Sequence, residues 1–548
     1  MSLKIIQRTQ SAYDYPLIIK QLLHTPMIYS PDREIVYRDI KRYDYRTFRQ
    51  RIAQLANALQ DLGVGQGSTV AVMDWDSHRY LECFFAIPMM GAILHTVNIR
   101  LSAEQILYTI NHAEDDVILV NSDFLPLLEG IRDKIKTVKK LVLINDDGKA
   151  PSTRLEFAGE YEELVDAAGA EFDFQDFDEN AQATAFYTTG TTGLPKGVYF
   201  SHRQLVMHTF GILTATGTYR SHSSFDSGDV YMPITPMFHA HAWGFPYAAT
   251  LAGAKQVYPG RYEPDTILRL IEKEKVTFSH CVPTILHMLL NSKISGEVDL
   301  SGWKVIIGGS AMPKALCKAA MERGIDPFTG YGMSETCPIL TLARLKQHMM
   351  DWGIDRQVEI KCRTGLPIPL VDLRVVDVTG QDLAKEEKLT GEVVARTPWL
   401  TQGYSKDPQR SEELWSQGWL HTGDIGYLDD EGYLQVTDRI KDVIKTGGEW
   451  VSSLELEDII LQHEAVSEAA VIGVPDSKWG ERPLALLVIK ESHRDKVTPE
   501  EIKAFLMGYV EKGLMSKWGI PDKVVFSESI ARTSVGKLDK KVLRQQYK

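Results

Sequence analysis

The stretch YTTGTTGLPKGV, Tyr187 to Val198, holds three glycines, four threonines and one lysine in twelve residues. A loop of this composition leaving a strand offers unblocked backbone N–H groups, hydroxyl donors and one mobile cation, a set suited to a polyphosphate. It is not a Walker loop. Gly190, Gly193 and Lys196 fall at G-x-x-G-x-x-K, and Gly197 stands where that pattern needs Ser or Thr. On either side the chain alternates elements. A helical spacing of Phe48, Ile52, Leu55, Ala56 and Leu59 ends at Gly63 and precedes the strand-like STVAVMDW. DVILV, FLPLLEGIRDKI and KLVLIN follow, and later KVIIGG before a helix from Pro313. This order predicts an α/β chain with sheets covered by helices.

At 548 residues the chain exceeds what one core usually organises, so more than one domain is expected. Its 44% hydrophobic and 24% charged residues are those of a globular protein. No run approaches the roughly 18 uninterrupted apolar residues of a membrane span. The nearest, Cys83 to Leu94, is broken by Pro88 and Gly91. No secretory signal is legible, which places the protein in the cytoplasm as an expectation. Five cysteines without CxxC spacing suggest a reducing compartment, and a net charge of -12 argues against a nucleic-acid surface.

Near residues 437 to 445 the pattern compresses into helix (LELEDIILQH), strand (AAVIGV), strand (LALLVI), helix (PEEIKAFLMGYV) and strand (KVVFS). A small α+β unit of about 110 residues is expected there. Before it, the short β-rich runs around KCRTGLPIPLVDLRVVDVTG and GEVVARTP predict a barrel-like piece.

Four further segments carry chemistry. GYGMSET, Gly330 to Thr336, puts the carboxylate of Glu335 in a glycine-rich turn, where a hard oxygen ligand would suit Mg²⁺. IIGGSAMP, Ile306 to Pro313, ends a strand with two glycines, which lets backbone approach a flat base or ribose. HTGDIGYLDDEGYLQVTDRIKD places Asp424 in a turn, with Asp438 and Arg439 fourteen and fifteen residues on; a carboxylate there would accept ribose hydroxyls. ARTSVGKLDKK presents Lys537 on a Ser-Val-Gly loop.

In this order the segments resemble the adenylate-forming superfamily of acyl-CoA synthetases, peptide-synthetase adenylation domains and beetle luciferases. The signature Y-T-S/T-G-T-T-G-x-P-K-G-V is met at Tyr187 to Val198, G-Y-G-x-S/T-E at Gly330 to Glu335, T-G-D at Thr422 to Asp424, and the lysine element at Gly536 and Lys537. One departure is Ala531, where many members carry proline. The resemblance implies two related α/β subdomains plus a β-barrel over residues 1–437, a hinge over 438–445 with Lys441 at its pivot, and a small mobile α+β domain over 446–548. It implies that Thr188, Thr189, Gly190, Thr191, Thr192, Gly193 and Lys196 hold the ATP phosphates and that Glu335 binds Mg²⁺. Tyr331 would stack on adenine, with Gly309, Ser310, Ala311, Gly330, Gly332, Met333 and Thr336 around the nucleotide. Asp424 and Arg439 would take the ribose, and Lys537 would act on the reacting carboxylate and α-phosphate. Lys445, Gly447, Gly448, Glu449 and Trp450 would face the site after domain rotation, leaving room for the pantetheine arm of coenzyme A.

PMFHAHAWGFP, Pro236 to Pro246, together with TGGEWVSS is similar to bacterial medium- and long-chain fatty acyl-CoA synthetases. On that resemblance His239 lies by the acyl carboxylate and Trp243 shuts an acyl tunnel. The H-x-H pair lacks a recognisable third ligand for zinc. The function implied is a two-step ligase forming acyl-AMP and then acyl-CoA from a fatty acid. The same chemistry on a short, methylthio- or aryl carboxylate stays open, as do an inactive nucleotide-binding protein and a luciferase-like oxygenase. Association as a homodimer is a further expectation from the resemblance.

Overall fold

A computed structural model describes residues 3–149, 151–188, 194–377, 379–383, 390–446, 449–494, 496–512, 515–532 and 538–547. Two large sheets organise the chain as far as Pro367. In the seven-stranded sheet the order is Gly159–Glu160, Lys140–Ile144, Val117–Asn121, Thr69–Met73, Ile93–Thr96, Gln182–Thr188 and Lys196–Ser201, with only the last pair antiparallel. Its central strand TVAVM is buried at every position, as expected for a parallel strand covered on both faces. The helix Tyr45–Asp61 shows how the sequence builds one cover. Asp44 caps it by accepting from the Thr47 N–H at 2.8 Å, and Phe48, Ile52, Leu55, Ala56 and Leu59 are all buried.

The nine-stranded sheet runs Leu366–Pro367, Ile339–Leu342, Asp326–Gly332, Lys304–Ile307, Phe278–Cys281, Val230–Pro233, Lys255–Tyr258, Glu34–Tyr37 and Lys41–Asp44. Strand alternation divides its side chains between two cores. Tyr231, Phe278, Ile306 and Phe328 join the core shared with the first sheet, and His280 lies against its Phe245 and Trp243. Met232, Cys281, Val305 and Ile307 turn to the opposite face, under Leu268, Ile271 and Leu286. Gly308 follows its strand and Gly330 lies inside the neighbouring one, neither with a side chain to add to a face.

The piece expected to be barrel-like is an antiparallel sheet of five strands: Asp372–Val376, Gly391–Arg396, Trp415–Ser416, Trp419–Leu428 and Leu434–Arg439. A fourth sheet starts at Ile444–Thr446 and contains Glu449–Val451, Val466–Asp476, Gly480–Ile489 and Lys523–Phe526. The helices Ser453–Ile460 and Pro499–Glu511 cover one face of it through Leu456, Ile460, Ile502 and Leu506. Leu543, from the helix Lys540–Gln546, packs on Ala470, Ile472 and Leu486 of the other. Small α+β architecture is thus what the compressed C-terminal pattern produces.

Candidate active site

The strand Gln182–Thr188 delivers the head of the threonine-glycine stretch, and Thr188 pairs with Lys196 across the antiparallel ladder. Thr189, Gly190, Thr191, Thr192 and Gly193 lie outside the described residues. Tyr187 is fixed by a 2.8 Å hydrogen bond between its hydroxyl and His112 Nδ1. On the other side, Ser405 N–H donates to the Gly197 carbonyl at 2.8 Å, and Val198 bridges to Tyr404. These contacts bring the segment TQGYSKD beside the lysine. Lys196 Nζ stands 4.3 Å from the centre of the Tyr404 ring, a cation–π arrangement. The Tyr404 hydroxyl donates to Glu335 Oε1 at 2.6 Å, and the Glu335 carbonyl accepts from Thr401 N–H at 2.9 Å. Burial, and next the Glu335 charge, push the Tyr404 phenol well above its usual range, so it stays a donor.

Glu335 is buried, on a single 3₁₀ turn Ser334–Thr336 after the strand Asp326–Gly332. Among the described residues no group of three or more His, Cys, Asp or Glu side chains gathers to hold a metal. One oriented carboxylate is nevertheless a donor set that suits Mg²⁺, which is normally bound by one or two carboxylates together with substrate phosphates. Thr336 closes the turn, its hydroxyl accepting from Met333 N–H at 3.0 Å.

The ribose candidates meet on the five-stranded sheet. Asp424 is not in a turn; it lies inside the ten-residue strand Trp419–Leu428. Gly423, at φ 69°, takes the strand through the irregularity that the sequence suggested as a turn, and the ladder continues beyond it. Asp424 stands opposite Arg439 in register, with Arg439 Nε 3.0 Å from Asp424 Oδ1. Its other oxygen accepts from the Tyr331 hydroxyl at 2.7 Å. Gly330 and Gly332 flank Tyr331 where the strand ends in a register shift, and Gly309, Ser310 and Ala311 are exposed past the neighbouring strand. Tyr331, Asp424 and Arg439 are therefore one connected unit.

The segment after Pro236 has an unusual backbone. Ala240, His241, Ala242, Trp243 and Gly244 take φ of 45, 57, 47, 58 and 77°, five successive left-handed residues. This tight turn lays Trp243 on His280, ring centres 5.0 Å apart and 29° from parallel. It also lays the indole on Gly308, where an added Cβ would come within 2.7 Å of Trp243 Cη2 and 2.9 Å of the Gly330 carbonyl oxygen. His241 points instead into a box of Phe84, Phe186, Phe200 and Tyr247. Burial depresses it, His208 and His280 to about 3, which keeps all three neutral. The H-x-H pair thus splits: His241 is a core residue and His239 is half-exposed.

The sequence pattern of AMP-binding enzymes matches residues 28–405, and that of the AMP-binding enzyme C-terminal domain matches 455–537. The chain belongs to the AMP-binding enzyme family. Among its relatives, a long-chain-fatty-acid–CoA ligase of Thermus thermophilus is 43% identical over 94% of this chain and 93% of that one. A 3-methylmercaptopropionyl-CoA ligase of Ruegeria pomeroyi is 36% identical over 97% and 98%. The fold is that of the crystal structure of an anthranilate CoA ligase in complex with anthranoyl-AMP, at TM-score 0.84 over 98% of both chains and 23% identity. The chain is an adenylate-forming, ATP-dependent enzyme.

In this AMP-binding enzyme Lys441 lies between the strand Leu434–Arg439 of the third sheet and Ile444–Thr446 of the fourth. Lys537 falls outside the described residues, as do Gly447 and Gly448. The segment after Lys537 is anchored: Asp539 N–H donates to the Ala531 carbonyl at 2.8 Å, and Lys540 Nζ is 2.7 Å from both Ser453 Oγ and Glu457 Oε1. Lys445 and Trp450 are register partners in the antiparallel pair of strands Ile444–Thr446 and Glu449–Val451. Asp438, next to Arg439, turns away from the ribose candidates and accepts from the N–H and hydroxyl of Ser453. Sequence reading missed Tyr404, a lone tyrosine whose partner Glu335 is 69 residues away, and His280, whose stacking on Trp243 no motif announces.

Proposed function

We propose that this enzyme activates a fatty acid with ATP to acyl-AMP and pyrophosphate, then passes the acyl group to coenzyme A with release of AMP. The observation that carries the reading is the connected set Lys196, Tyr404 and Glu335 beside Tyr331, Asp424 and Arg439, within a chain 43% identical to a long-chain-fatty-acid–CoA ligase. A carboxylate needs no deprotonation near pH 7, so the protein's task is positioning and charge neutralisation. Its oxygen attacks the α-phosphorus, the bond to the bridging oxygen breaks, and pyrophosphate leaves. Lys196 and the loop Thr188 to Gly193 hold the departing β,γ-phosphates, while Asp424 and Arg439 fix the ribose. Lys537 neutralises charge between carboxylate and α-phosphate. Glu335 would hold Mg²⁺, which supplies neutralisation of the phosphates when bound.

For the second step, residues 446–548 rotate about the hinge 438–445, with Lys441 as pivot. This withdraws Lys537 and turns Lys445 to Trp450 toward the adenylate, and the thiol attacks the acyl carbon. Five free cysteines among the described residues suit a reducing cytoplasm. No described helix is long and apolar enough to cross a membrane. The exposed pair Ile28 and Tyr29 gives a homodimer an apolar surface to use.

Two observations favour a second substrate reading: the 36% identity to a 3-methylmercaptopropionyl-CoA ligase, and Trp243 lying flush on Gly308. The test is CoA-dependent AMP release across straight-chain acids from propionate to palmitate, with methylthiopropionate and cinnamate alongside. Activity peaking on medium or long acyl chains is expected. A peak at three- or four-carbon, methylthio- or aryl acids overturns the substrate assignment, and no AMP release with any acid overturns the reaction.

A further inference from the structure

Asp76 lies just beyond the central strand Thr69–Met73 of the seven-stranded sheet, and its side chain is buried. It reaches across to the other sheet at three points. Oδ1 accepts from the Met237 N–H at 2.9 Å, Oδ2 accepts from the Tyr262 hydroxyl, and the Asp76 carbonyl accepts from Gly260 N–H at 2.9 Å. Met237 is two residues before His239 and three before the left-handed run begins. A second residue of the same sheet, Thr96, donates its hydroxyl to the Phe238 carbonyl at 3.1 Å. Both backbone groups at the root of the turn are therefore held from the opposite sheet. Within the turn, Ala242 N–H donates to the His239 carbonyl and Gly244 N–H to that of His241, both short-range bonds. The direction in which the turn leaves toward His239 and Trp243 is fixed at that root, and Trp243 seats its far end on His280 and Gly308.

We propose that Asp76 is a positioning residue for the acyl carboxylate, acting through the Met237 N–H to set the turn that carries His239 and Trp243. The inference rests on the adenylation reading of those two residues. Asp76 is faced by Tyr262 and Arg100, by Asp74 of its own segment, and by the phenols of Tyr80, Tyr231 and Tyr258. Burial raises it to about 7, with Tyr262, the Met237 N–H and Arg100 pulling the other way and Asp74 adding to the rise. The sign follows. Above about pH 7 the ionised carboxylate accepts two charge-assisted hydrogen bonds. Below it, the proton on one oxygen turns an acceptor into a donor and leaves a neutral acceptor for Met237, which holds the turn less firmly.

The experiment measures KM for a carboxylate in ATP–pyrophosphate exchange, at saturating ATP, between pH 6 and 8.5. In the unaltered enzyme this KM should rise about fivefold as pH falls through 7, the difference between a charge-assisted and a neutral hydrogen bond. Asp76→Asn, a neutral acceptor at every pH, should hold the low-pH KM throughout and lose the inflection. Asp76→Ala should raise it about tenfold or more, with KM for ATP unchanged. The same titration is read without turnover as Trp243 fluorescence, taken as the difference from Trp243→Phe: an inflection near pH 7 is expected, and its absence in Asp76→Asn. If no acid supports exchange, the adenylation reading fails while the fluorescence titration still decides the role of Asp76. A flat carboxylate KM, an inflection that survives in Asp76→Asn, or equal shifts in both KM values overturns the proposal.

Discussion

At the scale of single residues, the site depends on groups that orient charge as well as groups that carry it. Glu335 stands where one oxygen is already satisfied by Tyr404, and the same ring lies under Lys196. Tyr404→Phe removes the hydroxyl and keeps the ring. The carboxylate then loses its orienting donor while the cation–π contact survives, so half-saturating Mg²⁺ for pyrophosphate exchange should rise about three- to tenfold, with KM for ATP at saturating Mg²⁺ nearly unchanged. A titration of Mg²⁺ at fixed ATP checks this. Glu335, Asp424 and Lys196 stand out in the sequence because glycines around them mark where backbone can approach a ligand. Tyr404 was not, because its importance arises from a contact across 69 residues.

At the scale of elements, the sequence legibly separates helices from strands wherever periodicity is long, as in Tyr45–Asp61 and in the apolar strands of both large sheets. It fails at Ala240 to Gly244. AHAWG carries only one glycine, and nothing in it announces five left-handed residues; the conformation is imposed by contacts at its two ends, Met237 to Asp76 and Trp243 to the sheet. Asp424 was misread for a related reason, since Gly423 marks an irregularity inside a strand and not the strand's end. The seat of Trp243 is testable. Gly308→Val introduces a branched side chain where even a Cβ meets the indole at 2.7 Å and the Gly330 carbonyl oxygen at 2.9 Å. The indole can swing away but the backbone oxygen cannot, so the substitution should cost about 1–3 kcal/mol of stability by overpacking and displace Trp243. Thermal unfolding measures the first. Loss of activity on long acids relative to short ones measures the second.

At the scale of the whole molecule, two sheets share one core, and the nucleotide candidates gather where their strands end beside the five-stranded sheet. That arrangement was legible as alternating α/β elements followed by a compressed C-terminal pattern. The pairing of strands from distant parts of the chain was not, because register across a sheet is set by packing and leaves little trace in local sequence. The resulting geometry serves a reaction in which one oxygen of the acid ends up on phosphorus. Acid labelled with ¹⁸O in its carboxylate, incubated with the enzyme, ATP and coenzyme A, tests this most directly. The account predicts AMP carrying one labelled oxygen and unlabelled pyrophosphate, because the attacking oxygen stays with the α-phosphorus when the thiol displaces AMP from the acyl carbon. Label appearing in inorganic phosphate, or AMP formed without label, would contradict it.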